Sequence, residues 1–241
     1  MARLWEMQQD LPIEAFALTF AHKGGRADVL AALAGDQPPL APLAREIDEA
    51  PADARARKMF LARRALLRRA VARRLRCAVE AVEIGRADDG GPRLLAPDSG
   101  LHLSVSGRGD LIAVAVCDTP VGVDIEPVGE AFDAPLNVLH PAERAALAAA
   151  GAGAHEHFLR LWTVKEAYLK ALRTGLAREP VEIEIRLGPP VRIDGAELAH
   201  DCADAVIFDR DAPVALAAAF AQRLLYRGRP LVLACVALAA D

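Results

Sequence analysis

Four segments recur in the same order, each about 100 residues further along the chain. "LPIEAFALTF" at 11–20 has its counterpart in "TPVGVDIEPV" at 119–128, both reading as strands opened by a proline. "MFLARRALLRRAV" from Met59 is matched by "HFLRLWTVKEAYL" from His157, both long amphipathic helices. Each is followed by Val-Glu-Ile, at 82–84 and at 181–183, and "LIAVAVC" at 111–117 is answered by "PVALAAAF" at 213–220, apolar runs suited to buried central strands. Two copies are too few for a solenoid. The expectation is an α+β fold of two similar α+β halves in tandem, a pseudo-dimer about a pseudo-two-fold axis, with halves at 1–118 and 119–241. A site then belongs in the cleft between them.

Composition narrows the function classes. A net charge of −4 offers no basic field for nucleic acid, and no apolar run reaches membrane-span length. The start "MARLWEMQQDLP" lacks a basic segment followed by an apolar one, so no export signal is expected and the reading is cytoplasmic, without membrane. Cys77, Cys117, Cys202 and Cys235 form no C-x-x-C, and all four read as reduced thiols. "GRGD" at 107–110 reads as a hairpin turn, and "AAAGAGAHEH" at 148–157 as a flexible loop carrying His155 and His157. The stretch from Ala54 to Arg76 carries ten basic residues and no acid, an amphipathic helix with a cationic face. That face is either solvated or a surface for anions and acidic partners.

Chemistry concentrates in two places. "VGVDIEPV" at 121–128 puts Asp124 and Glu126 on one face of a strand, where two carboxylates repel unless something neutralises them. About 40 residues later, "WTVKEAYLKA" at 162–171 places Glu166 and Lys170 on one helix face. Three carboxylates with waters and a substrate phosphate suit Mg²⁺, and lysines beside them suit phosphate.

"GVDIE" and "WTVKEAYLKA", in that order and at that distance, resemble the signature motifs of the 4′-phosphopantetheinyl transferases, specifically the larger pseudo-dimeric (surfactin-type) class. The resemblance implies transfer of 4′-phosphopantetheine from coenzyme A to a serine of an apo acyl or peptidyl carrier protein, with Mg²⁺ and release of 3′,5′-ADP. It implies Asp124, Glu126 and Glu166 as metal ligands, with Lys170 and Lys165 on the coenzyme A phosphates. Glu143, in "HPAERAAL", stands as a weaker candidate for base or orienting group. Arg64 resembles the family's 3′-phosphate contact, with Arg57 and Lys58 assisting, and Ser104 matches a phosphate-side serine. The basic stretch from Arg63 to Arg76 is then a candidate docking surface for the carrier. A fused pseudo-dimer needs no partner subunit, so a monomer is expected.

Two positions depart from the pattern. Gly91 stands where the family usually has lysine and Val105 where it usually has histidine, while His102 falls on the side of Ser104 and Ser106 by strand alternation. The alternative reading is a weakened or inactive relative that binds coenzyme A or carrier protein without efficient transfer.

Overall fold

The computed structural model describes residues 5–6, 16–22, 25–129, 135–174, 178–189, 191–193, 200–210, 216–226 and 228–239. Strands β1 (Trp5–Glu6), β2 (Phe16–His22) and β3 (Gly25–Leu33) are followed by helices α1 (Ala44–Glu49) and α2 (Ala54–Leu75). Then come the β4 (Glu83–Arg86) and β5 (Pro92–Ala96) hairpin and strands β6 (His102–Ser106), β7 (Leu111–Cys117) and β8 (Val121–Pro127). Helices α3 (Pro141–Ala149) and α4 (Ala154–Leu172) precede β9 (Glu184–Leu187), β10 (Val191–Ile193), β11 (His200–Phe208), β12 (Leu216–Tyr226) and β13 (Arg229–Leu238). The protein is α+β.

One sheet runs β1-β2-β3-β7-β6 and a second runs β10-β11-β12-β13-β8, with β9 on β11. Val29, Ala31, Ala113 and Ala115 of the first sheet share a core with Val123, Ile125, Leu233 and Cys235 of the second. On the opposite face of the first sheet, Leu66, Leu67 and Val71 of α2 pack on Leu30, Ile112 and Val114. On that of the second, Phe158, Val164 and Tyr168 of α4 pack on Ala221, Val232 and Ala234. The layers are therefore helix, sheet, sheet, helix. This explains the unbroken apolar runs of β7 and β13: both strands are covered on two faces, so alternation with polar residues is lost.

Sheet position refines the repeat. β7 lies between β3 and β6, and β13 lies between β8 and β12, so the strand that answers β8 by position is β3, and the one that answers β7 is β13. The matched segments 11–20 and 213–220 fall instead on the neighbouring strands β2 and β12, with residues 11–15 and 213–215 outside the described residues. Short apolar strands of one hairpin resemble each other closely enough to be exchanged in a sequence comparison.

Two further expectations change. The segment 148–157 is not a long loop: α3 runs to Ala149, a single turn spans Gly151–Gly153, and His155 and His157 lie inside α4. The basic residues of α2 do not make one cationic face either. Arg68 is buried and donates to Glu46 Oε2 at 3.3 Å and to the Ala41 and Val79 carbonyls. Arg69 donates to Gln37 and the Pro38 carbonyl, and Arg74 pairs with Asp28 and Asp118. Inward-folded arginines clamp the proline-rich excursion and α1 onto the helix. "GRGD" does form the turn between β6 and β7.

Candidate active site

The site is built on the contact of β8 with α4. Alternation sends Val121, Val123 and Ile125 into the core between the sheets, leaving Gly122, Asp124 and Glu126 on the face toward α4. Gly122 sets how closely the helix approaches. A Cβ there would fall inside the van der Waals envelope of the Ala167 carbonyl oxygen and 2.7 Å from Ala171 N. Glycine on the strand and alanines on the helix therefore let backbone meet backbone, and one helical turn along, Lys170 reaches the strand.

Lys170 Nζ donates to Asp124 Oδ1 at 2.7 Å and to the Val123 carbonyl at 3.3 Å. Ser106 Oγ donates to the same Asp124 oxygen at 2.6 Å. Ser104 Oγ accepts the Val123 amide at 3.1 Å, satisfying an N–H on the edge of β8 that does not face β13. The two serines thus tie β6 of the first sheet to β8 of the second. Asp124 Oδ2 is buried with no hydrogen-bond partner.

The carboxylates are under electrostatic pressure. Burial, and then the neighbouring Asp124 charge, push the Glu126 carboxyl up to about 7, against relief from Arg108 and Lys170. Arg108 Nε approaches Glu126 Oε2 only to 3.6 Å. Burial and Asp124 also raise Glu166, which Lys170 partly offsets. Asp124, Glu126, Glu166 and Lys170 are therefore one electrostatic group.

As arranged, no three His, Cys, Asp or Glu side chains among the described residues stand within metal-holding distance. The donor set nevertheless fits a hard divalent cation: three oxygen-donor side chains, a buried Asp124 oxygen with no partner, and a Glu126 carboxyl that tends to keep its proton for want of positive charge.

Beside this group runs a groove in two connected stretches. Lys170, Arg173, Ser104, Val105, Gly90 and Gly91 border the nearer one. Phe60, Arg63, Arg64, Arg86 and Val105 border the farther one. Gly91 and Val105 both face the groove, so the two departures lie on its walls. His102 borders a separate recess with Arg173, on the other side of its strand from Val105.

Several predicted residues are placed differently from expectation. Lys165 is fully buried, its ammonium 3.0 Å from Glu143 Oε2 and donating to the Pro180 and Ile183 carbonyls. It does not border the groove. Glu143, also buried, accepts the Ile185 amide at 2.7 Å and the His140 amide at 2.8 Å. Both its oxygens serve the junction of α3, α4 and β9, which corrects the expectation of a base or orienting group. The cause is direction: Lys165 and Glu166 are adjacent on a helix, so their side chains diverge by about 100°. Arg64 does reach the groove wall, but its guanidinium is held by Glu49 Oε2 at 2.9 Å and the Gly85 carbonyl at 2.9 Å. Arg57 and Lys58 do not border the groove.

Residues the sequence reading missed are Arg63, Arg86 and Arg173. Arg63 touches the Gly107 carbonyl at 3.3 Å while its buried Nε has no partner. Nothing local distinguishes Arg63 from Arg64; only the helix rotation does.

The chain is thus a helix–sheet–sheet–helix α+β protein with a carboxylate–lysine group beside a cation-bordered groove, chemistry suited to an anionic ligand. Residues 120–217 match the family model of the 4′-phosphopantetheinyl transferase superfamily (ACPS). The match contains Asp124, Glu126, Glu166 and Lys170 and stops short of Arg63, Arg64 and Ser104. No curated protein matches the chain. No helix among the described residues is long and apolar enough to cross a membrane.

Proposed function

We propose that the protein transfers 4′-phosphopantetheine from coenzyme A to a serine of an apo acyl or peptidyl carrier protein, releasing 3′,5′-ADP. The observation that carries this reading is the single electrostatic group of Asp124, Glu126, Glu166 and Lys170, whose lysine borders a groove with further cations along it.

Asp124, Glu126 and Glu166 would hold Mg²⁺, which when bound offsets the charge developing on the pyrophosphate. Lys170 is already poised at the carboxylates and faces the nearer stretch, so it can follow a phosphate as charge builds. Ser104 and Ser106 keep β6 against β8, and Ser104 can still donate its hydroxyl proton to a phosphate oxygen. In the farther stretch Arg63 and Arg86 are the cations with donors to spare for the 3′-phosphate, and Arg64 forms the wall behind them. Glu166, raised by burial and Asp124, is the carboxylate suited to take the serine proton.

The chain folds as a pseudo-dimer with its halves meeting at residues 118–119, and it works as a monomer. Supporting this, each half has a short helix, a long helix, a single turn (Val79–Ala81 and Pro180–Glu182) leading into a short strand, and an antiparallel sheet, and the sheets face each other.

The test is intact-mass spectrometry of apo carrier proteins incubated with the protein, coenzyme A and Mg²⁺, beside Glu166→Ala. A phosphopantetheine mass gain that the variant abolishes supports the reading. Binding without any gain on either carrier favours the second reading, a relative that binds but does not transfer. Gly91 and Val105 on the groove walls are the observation behind that alternative.

A further inference from the structure

Both long helices end on a left-handed arginine, Arg76 for α2 and Arg173 for α4, and only Arg173 borders the groove. Arg173 adopts the left-handed conformation, φ 58°, where glycine is the least strained residue. Its backbone N–H caps the Leu169 and Lys170 carbonyls, a bond glycine would make equally well. The side chain is thus what distinguishes arginine here. It reaches from the second half's helix to the β4–β5 hairpin, donating to Asp89 Oδ2 at 3.0 Å and to the Pro92 carbonyl at 3.3 Å.

Arg173 borders the same stretch of groove as Lys170. Its Nη1 lies 3.5 Å from where a Cβ on Gly91 would stand, and Asp89 Oδ1 lies 3.1 Å from the same point, so the guanidinium and its carboxylate partner both stand beside Gly91. The pair with Asp89 is open to water, with side chains 36% and 28% exposed, and carboxylate and phosphate are interchangeable partners for the guanidinium fork.

We propose that Arg173 is a second phosphate-binding cation of the nearer stretch of the groove, beside Lys170, held by Asp89 until a ligand phosphate takes the carboxylate's place. The proposal rests on the coenzyme A reading for the identity of the phosphate. Asp89 then competes with the ligand for the guanidinium beside Gly91.

Isothermal titration of the full chain with coenzyme A and, separately, with inorganic pyrophosphate tests it. Arg173→Gly relaxes the cap, so the fold is kept, and Kd is expected to rise about tenfold or more. Asp89→Asn keeps an oxygen for the Gly91 amide and removes the competing charge, so binding is expected to be unchanged or tighter. Adding Gly91→Lys to Arg173→Gly is expected to restore affinity. Unchanged binding in Arg173→Gly overturns the proposal. So does equal weakening in Asp89→Asn, which would make the pair a strap that merely holds the hairpin. If the wild type takes pyrophosphate but not coenzyme A, the transferase reading fails while the comparison of Arg173→Gly with wild type on pyrophosphate still decides this one.

Discussion

Lys170 Nζ lies 2.7 Å from one oxygen of Asp124, and the other oxygen of that carboxylate is buried without a hydrogen-bond partner. One ammonium thus serves a group of three carboxylates, with Arg108 only a distant aid to Glu126. The imbalance makes the site costly to hold together without a cation, and the first prediction follows from it.

Glu126 is raised from 4.5 to about 7, so the folded protein binds a proton that the unfolded chain has released. The stabilisation is fully present below the unfolded value and is lost as pH rises through the folded one, a swing on the order of 3 kcal/mol. Metal-free protein is expected to melt at a lower temperature at about pH 8 than at about pH 5, and Glu126→Gln should flatten that fall. Added Mg²⁺ should stabilise the wild type more at the higher pH. Parallel melting curves for wild type and variant across this range would sink the prediction.

Gly122→Ala should lower stability by about 2 kcal/mol or more, because the new methyl group meets helix backbone that cannot yield as a side chain would. Urea unfolding measures the loss. Since relief requires α4 to move off β8, Lys170 should also lose Asp124, and Mg²⁺-dependent stabilisation should weaken in the same variant.

Lys165→Met leaves Glu143 as an unpaired buried carboxylate and should cost about 3 to 5 kcal/mol. The double variant with Glu143→Gln should recover part of that, since both charges are then gone. A Lys165→Met protein as stable as the wild type, or a double variant worse than the sum of the two, would contradict the structural role given to the pair.

Arg63→Ala and Arg64→Ala should separate binding from stability. Arg64→Ala frees Glu49 and the Gly85 carbonyl and should lower the unfolding free energy. Arg63→Ala should leave stability nearly unchanged and weaken coenzyme A more than 3′-dephospho-coenzyme A. If both ligands weaken alike, Arg63 does not face the 3′-phosphate.

The motif pair was legible because it lies on regular elements. Period two puts Asp124 and Glu126 on one strand face, and a spacing of four puts Glu166 and Lys170 on one helix face. The same logic failed for Lys165, whose identity suggested phosphate but whose rotation on α4 points it at Glu143. It failed as well for the arginines of α2. Their partners Asp28, Pro38 and Glu46 lie 46, 31 and 22 residues away, and no local pattern announces them.

The α+β class, the hairpin at 107–110 and the carboxylate–lysine motifs can be read from the residues alone, because each depends on periodicity or spacing within one element. Which cations face the groove, how the strands are ordered in the two sheets, and that Lys165 and Glu143 pair with each other away from the groove come from the folded arrangement. Those outcomes depend on helix rotation and on contacts between segments far apart in the chain, where packing of the apolar faces sets direction and polar side chains follow.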